Sequence, residues 1–349
     1  MFSPKYSISN RILKNIGVVE ASREVILNAP LLPAYEKKFR EEAIVRTVHH
    51  GTHIEGNELN FTEAAQVLKG NEIVGRDRDI QEVLNYRNVL RYLDFIGQGA
   101  ETEGKITENV VEKVHAFVVE KLLPIEQCGS YRKTQVVVKN SITGEITFRP
   151  PPAIEVPYQV EEFLSWLNAL EKDELHPVLK AGITHYELVR IHPFVDGNGR
   201  MARAVATLVL FLENYDIKKF FSLEEYYDRD AVHYYDALKS ASGGELTKWL
   251  EYFTQGLSIE LTRIKEKILK LSTDVQLKEK LGGKQVFLTE RQIGIMEYIQ
   301  RVGYLQNQSF PDLFPKISED TILRDLKDLM DKGIIKKVGK TKAARYTLG

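Results

Sequence analysis

His192–Arg203 reads HPFVDGNGRMAR: a titratable imidazole, a carboxylate, an amide, two glycines and two arginines within twelve residues. Asp196, Gly197, Asn198 and Gly199 are poor company for a helix interior, because Gly carries too much backbone freedom and Asp and Asn bond the nearby backbone instead. The chain must turn here. On both sides apolar residues recur at helical spacing, Val178, Leu179, Ile183, Tyr186 and Leu188 before the turn and Val205, Leu208, Val209 and Leu212 after it. The run is therefore a loop between two helices, and the second helix begins inside it.

A helix start presents unpaired N–H groups and the positive end of the macrodipole, which makes Gly197 to Arg200 a seat for phosphate. Arg200 and Arg203 stand three residues apart, so both planar guanidinium forks leave one helix face over the same anion. Asp196 adds a hard oxygen ligand, and one carboxylate with substrate phosphates is a usual way to hold Mg²⁺. His192, with an ordinary pKa of about 6.5, suits a general base that takes a proton from an attacking hydroxyl.

These residues resemble the Fic family, whose HxFx(D/E)GNGRxxR pattern is filled at every position. The resemblance implies a mainly α fold and a nucleotidyltransferase that moves AMP from ATP, the co-substrate, onto a Ser, Thr or Tyr hydroxyl of a protein. It assigns His192 as catalytic base, Asp196 to Mg²⁺, Gly197, Asn198 and Gly199 to the α- and β-phosphates, and Arg200 to the β/γ side. Relatives transfer UMP or phosphocholine instead, and the loop motif does not choose among these donors.

Residues 41–57, EEAIVRTVHHGTHIEGN, read as a helix with Gly56 at its C-cap and Glu55 in the last turn. A carboxylate at a helix C-terminus opposes the dipole and gains from a cationic partner. The segment is similar to the family's inhibitory motif (S/T)xxxE(G/N), which implies that Glu55 pairs with Arg203 and blocks the productive pose of the γ-phosphate. Gly51 stands at the Ser/Thr position of that motif, with Thr52 one place later. Some relatives use the same glutamate to remove AMP again, so a bifunctional enzyme stays open beside an autoinhibited transferase.

The clearest β pattern is TQVVVKNSITGEITFR, residues 134–149, where Val136, Val137 and Val138 face Ile146, Thr147 and Phe148 across a turn with Asn140, Ser141 and Gly144. Pro150, Pro151 and Pro152 end it. A hairpin in a helical domain keeps an open edge, and the resemblance makes it the flap along which a target protein lies as a strand. Tyr234 and Tyr235, further on, offer aromatic faces to the nucleotide base. Asp228 stands where the family often shows Asn.

Composition adds bounds. With 349 residues, 43% of them hydrophobic, 28% charged and a net charge of −1, the chain reads as a globular protein without general attraction to nucleic acid or membrane. One cysteine, Cys128, excludes an internal disulfide, and no apolar run reaches a membrane span; both point to the cytoplasm. Organisation is expected as an N-terminal helical region over 1–100 with the inhibitory helix, a Fic core over 101–281, and a small domain over 285–349, with Gly282 and Gly283 at the joint. The last block, with Ser318 capping its second main helix and the strands IIKKV and ARYTL as a wing, is similar to a winged helix-turn-helix. Glu319, Asp320, Asp325, Asp328 and Asp331 outnumber the bases on that helix and repel phosphate, whereas Lys336, Lys337, Lys340, Lys342 and Arg345 line the wing. Protein contact is favoured over DNA, a nucleotide-sensing DNA-binding regulator remains the alternative, and family analogy allows a homodimer.

Overall fold

The computed structural model describes residues 2–29, 31, 33–98, 104–139, 146–171, 174–271, 288–315, 317–339 and 344–349. Helices dominate, and two compact units divide the chain: Met1–Leu27 with Phe39–Lys265, and Asn28–Lys38 with Glu266–Gly349.

The larger unit is organised around α7 (Pro177–Ile191) and α8 (Asn198–Leu212), which pack on each other and flank the HPFVDG loop. Pro177 opens α7 at a position where a missing N–H is harmless, and the His176 ring accepts the Val178 N–H at 3.3 Å. Met201, Ala202, Ala204, Val205, Leu208 and Val209 are all buried, so α8 is covered on every side and runs through the core. Each large apolar side chain buried here contributes roughly 1.5–3 kcal/mol, enough in sum to fix where the helix begins. The cover comes from α4 (Asp77–Gly97) and α5 (Glu108–Val119), while α6 (Val156–Ala169) packs on α7.

Around this centre, α1 (Asn10–Asn28) is tied to α11 (Thr247–Leu271) by Asn15, whose Nδ2 donates to Thr254 Oγ1 at 3.0 Å. Then α2 (Pro33–His53) begins earlier and stops sooner than the expected 41–57, and a turn with Gly56 at φ +96° carries the chain out of it. Next, α3 (Phe61–Leu68) starts on a capping box in which Asn60 and Glu63 satisfy each other's backbone N–H. After α8 come α9 (Leu223–Arg229) and α10 (Ala231–Ser240).

The hairpin is present but short. Strands β1 (Val138–Lys139) and β2 (Ile146–Phe148) run antiparallel with Val138 opposite Phe148 and a register shift at Lys139. Val136 and Val137 lie outside the strand, contrary to their β pattern, because the chain there is tied differently: Gln135 Nε2 donates to Pro150 O at 3.0 Å. The turn residues Asn140, Ser141 and Gly144 lie outside the described residues.

Two expected boundaries need correction. The block 1–100 does not separate from the block that follows, since α4 packs on α5 and α8 and shares their core. Asn28–Lys38, assigned by sequence to the N-terminal region, groups instead with the C-terminal unit. In that unit α12 (Glu290–Val302), the short α13 (Phe310–Leu313), α14 (Glu319–Asp331), β3 (Ile335–Val338) and β4 (Arg345–Leu348) close on Ile295, Met296, Leu305, Leu326, Leu329 and Tyr346. Leu305 joins the strands through paired backbone bonds with Tyr346 at 2.9 and 2.8 Å. Ser318 does precede α14, yet its hydroxyl meets Thr321 Oγ1 at 2.8 Å and makes no capping bond. Gly282, Gly283, Lys340 and Lys342 fall outside the described residues. Among the described residues no helix is long and apolar enough to cross a membrane.

Candidate active site

The loop between α7 and α8 is held at several points. His192 ends α7 with φ +51° and ψ 60°, a left-handed conformation that costs a non-glycine residue about 1–3 kcal/mol and persists only under constraint. The constraint comes from Arg132, a buried side chain that no local pattern had singled out. Its Nε donates to His192 O at 2.8 Å, its Nη2 to Pro151 O at 2.6 Å, and its backbone N–H to Pro193 O at 2.9 Å. Phe194 stacks flat on His115 with ring centroids 3.6 Å apart. Gly197 sits at φ +75° with Val119 and Val118 carbons 2.8 and 2.9 Å from where a Cβ would be, so only glycine fits.

His115 is held in one tautomer by its two backbone partners. Its Nε2 lies 3.0 Å from Asp196 O, and its Nδ1 accepts the Gly129 N–H at 3.0 Å, an arrangement that only the neutral Nε2–H tautomer satisfies. Burial, partly offset by the Asp196 carbonyl, drives its pKa down to about 4, and burial does the same for His49. The folded protein thus refuses protons that the unfolded chain takes near the ordinary value of about 6.5. The contribution is complete above that pH and is lost as the pH falls toward about 4. The melting temperature is therefore expected to drop steadily from pH 7 to pH 5, and a flat profile over that window contradicts the assignment.

At His192, Nδ1 faces Val189 O at 3.3 Å, which directs its proton inward and leaves Nε2 for chemistry. Burial lowers its pKa against the Val189 carbonyl; Arg132 adds to the lowering, while Glu55 and Asp196 oppose it. The imidazole is neutral near pH 7 and ready to accept a proton.

The start of α8 carries no side-chain cap, so its first N–H groups are left as an anion seat. Asn198 plays a different part from the one expected by resemblance. Its Oδ1 accepts Phe194 N–H and its Nδ2 donates to Phe194 O, both at 2.9 Å, so the amide closes the loop on itself and is turned away from a phosphate. The Gly197 N–H is also engaged, by Asp196 Oδ1 at 2.6 Å. What faces the seat is the glycine backbone with Arg200 and Arg203.

Arg203 is 1% exposed at its side chain and meets the 27% exposed Glu55 at 2.9 Å; a second bond runs from its Nη2 to Gly51 O at 2.9 Å. Burial alone would weaken its charge, but Glu55 together with the hydroxyls of Tyr234, Tyr86 and Tyr235 outweighs burial, and the guanidinium stays firmly protonated. Its Nε and Nη1 are buried without hydrogen-bond partners, as is Arg200 Nε. Such unmet buried donors are costly unless an anion completes them. Glu55 now fills part of that seat, since a Cβ at Gly199 would overlap its carboxylate and lie 3.1 Å from Arg203 Nη1. Gly51 thus enters through its carbonyl, whereas Thr52 bonds its own helix at Val48 O, 3.0 Å away.

Asp196 leans on Arg78 at 3.1 Å and on Arg200 at 3.9 Å. Burial works against its charge, yet Arg200, the Gly197 N–H and Arg78 together hold its pKa below the ordinary value. Among the described residues no cluster of three or more His, Cys, Asp or Glu could hold a metal unaided. A single half-exposed carboxylate at the mouth of a phosphate seat fits Mg²⁺ only in the form in which substrate phosphates and water supply the other ligands.

The two candidate base-site tyrosines part company. Tyr234 is 1% exposed, stacked on Tyr227 at 4.8 Å with its hydroxyl 2.9 Å from His185 Nε2, so it is core and corrects the expectation. Tyr235 is 48% exposed and its hydroxyl lies 3.5 Å from Ile54 O, beside Glu55. Asp228 receives His50 at 2.7 Å and His53 at 2.8 Å and so anchors the last turn of α2. Sequence reasoning also missed α4, where Glu82 accepts from Asn57 at 2.9 Å and approaches Arg200 at 3.3 Å. A cavity of about 240 Å³ opens between Glu55, Gly56, Arg76, Arg78, Asp196 and Arg200.

Known proteins resemble this chain in sequence and in fold. Residues 105–210 match the family model described as Fic/DOC family. The chain is similar to "Protein adenylyltransferase Fic" of Culex quinquefasciatus, at 27% identity over 77% of this chain and 52% of that protein, and to its namesake of Nematostella vectensis, at 28% over 67% and 52%. It spans about half the length of these curated relatives. A solved Fic family protein from Desulfovibrio desulfuricans G20 has the same fold at a TM-score of 0.68 and 23% identity, covering 100% of this chain and 98% of that one. Fic-1 of C. elegans, residues 134–508, follows at a TM-score of 0.62 and 24% identity, covering 75% and 73%. Residues 105–210 thus carry a domain that matches the Fic/DOC family model, in a chain similar to named Fic proteins over most of its length.

Proposed function

We propose that this protein is an adenylyltransferase that moves AMP from ATP onto a Ser, Thr or Tyr hydroxyl of another protein, and that Glu55 holds it at rest. The carrying observation is the uncapped start of α8, where buried donors of Arg200 and Arg203 lack partners within one loop of a neutral His192. His192 Nε2 takes the proton of the target hydroxyl as its oxygen bonds to the α-phosphorus; the bond from that phosphorus to the bridging oxygen breaks, and pyrophosphate leaves. The glycine backbone of α8 orients the α- and β-phosphates, and Arg200 with Arg203 neutralises the outer charge. Asp196 would hold Mg²⁺, which when bound offsets phosphate charge.

The β1–β2 hairpin suits a target segment lying alongside as an added strand, and Tyr235 offers an exposed ring to the base. Supply of ATP and the unpaired Cys128 agree with the cytoplasm. The C-terminal unit we read as a winged helix for protein contact: Asp325 and Asp328 on α14 already serve α12 through Arg291 at 2.6 Å and Gln292 at 2.6 Å.

Labelled ATP tests the reaction class. Supplied to the Glu55→Gly protein in lysate with Mg²⁺, α-³²P should appear on protein bands and γ-³²P should not. Transfer of the γ label would instead make this a kinase, and labelling from UTP or CDP-choline in place of ATP would replace the donor.

A further inference from the structure

At the mouth of the site four side chains close a ring of alternating charge. Arg78 lies 3.1 Å from Asp196 Oδ2 and 3.2 Å from Glu82 Oε1, while Arg200 lies 3.3 Å from the same Glu82 oxygen and 3.9 Å from Asp196 Oδ1. Two cations face two carboxylates, so the ring is neutral as it stands. Its members differ sharply in exposure. The Arg200 and Glu82 side chains are 3% and 6% exposed and fixed by packing, whereas those of Asp196 and Arg78 are 42% and 59% exposed. Arg78 is the one member able to leave, because an exposed ion pair contributes little and its long stem costs little to reorient.

We propose that Arg78 binds the outermost phosphate of the nucleotide, and that without nucleotide it stands in for the metal cation on Asp196. The inference rests on the nucleotide-transfer reading above. When a cation arrives on Asp196 together with phosphates, the ring loses one carboxylate and Arg78 keeps only Glu82. That carboxylate is already engaged by Arg200 and by Asn57 Nδ2 at 2.9 Å. The freed guanidinium borders the 240 Å³ cavity that also touches Arg200 and Glu55, where the far end of a triphosphate seated on α8 would extend. Arg76, the other arginine of that wall, is less available, being held by Asp79 at 2.7 Å and by Gly56 O at 3.2 Å. Glu55 lines the same cavity, so its carboxylate and a terminal phosphate exclude each other, and Arg78 makes its contact only in the released enzyme.

Calorimetric titration of the full chain with ATP and with ADP decides the matter, using Glu55→Gly alone and with Arg78→Ala added. Arg78 is exposed enough for the second substitution to leave folding intact, which equal melting temperatures would verify. With Mg²⁺ present, Arg78→Ala should weaken ATP about tenfold, as expected for one charge-assisted contact, and leave ADP within about twofold; Arg78→Lys should recover part of the loss. The Mg²⁺ concentration that half-supports ADP binding should fall in Arg78→Ala, since the competitor for Asp196 is gone. Equal weakening of ATP and ADP, or none, overturns the phosphate contact, and an unmoved Mg²⁺ midpoint overturns the stand-in role. If Glu55→Gly binds neither nucleotide, the nucleotide reading itself falls and takes this inference with it.

Discussion

Replacing Glu55 by Gly is expected to raise AMP transfer about 10- to 100-fold, the factor carried by a charge-assisted hydrogen bond worth about 1.5–3 kcal/mol. The bond is the 2.9 Å contact between Glu55 and the buried Arg203. Because the partner carboxylate keeps some access to water, the lower part of that range is the better guide. The same change has a second, opposite effect. It strands the Arg203 charge in the core with Nε and Nη1 already unmatched, so the nucleotide-free variant should melt at a lower temperature than the parent. ATP should restore more stability to the variant than to the parent, since its phosphates supply the missing anion. Glu55→Gln, which keeps a hydrogen-bond acceptor without the charge, should fall between them. An unchanged transfer rate in a variant that still binds ATP would remove Glu55 from any inhibitory role.

Much of this site is legible in twelve residues because its chemistry is local. Glycine, Asp and Asn force the turn, the turn exposes a helix start, and the arginines follow at one-turn spacing. What local chemistry could not decide was where an amide points. Asn198 has donors and acceptors for a phosphate or for a backbone, and the nearest unsatisfied groups belonged to Phe194. Tyr234 and Tyr235 are adjacent and alike in type, yet α10 turns one into the aromatic core and the other outward. Arg78 and Arg132 were not legible as site residues, because the contacts that bring them to the loop, with Asp196 and His192, span 118 and 60 residues and only packing makes them. The expected break near residue 100 failed for the same reason: composition records the loop, not the burial of α4 against α5 and α8. The hairpin was read too long because β-branched valines suit a strand whether or not an opposing strand exists.

Removing the imidazole tests the other half of the mechanism. In the Glu55→Gly background, His192→Ala is expected to reduce AMP transfer by about 10²–10⁴-fold, the usual contribution of a positioned general base. ATP affinity should stay within about twofold, because the phosphate seat is built from α8 and its arginines. The backbone complicates the choice of variant: residue 192 sits at φ +51°, where Ala is strained and Asn is tolerated, so His192→Asn should reproduce the loss with less cost to folding. Arg132, His115 and Asn198 hold the loop through other atoms and do not depend on the ring. Before substitution, transfer should rise with pH along a single protonation step below about 6.5, because burial depresses the His192 pKa and the neutral form is the active one. That step should vanish with the ring, while the acid loss of stability set by His115 remains. Retention of transfer within tenfold of the parent, with ATP still bound, would mean that the hydroxyl loses its proton to some other group.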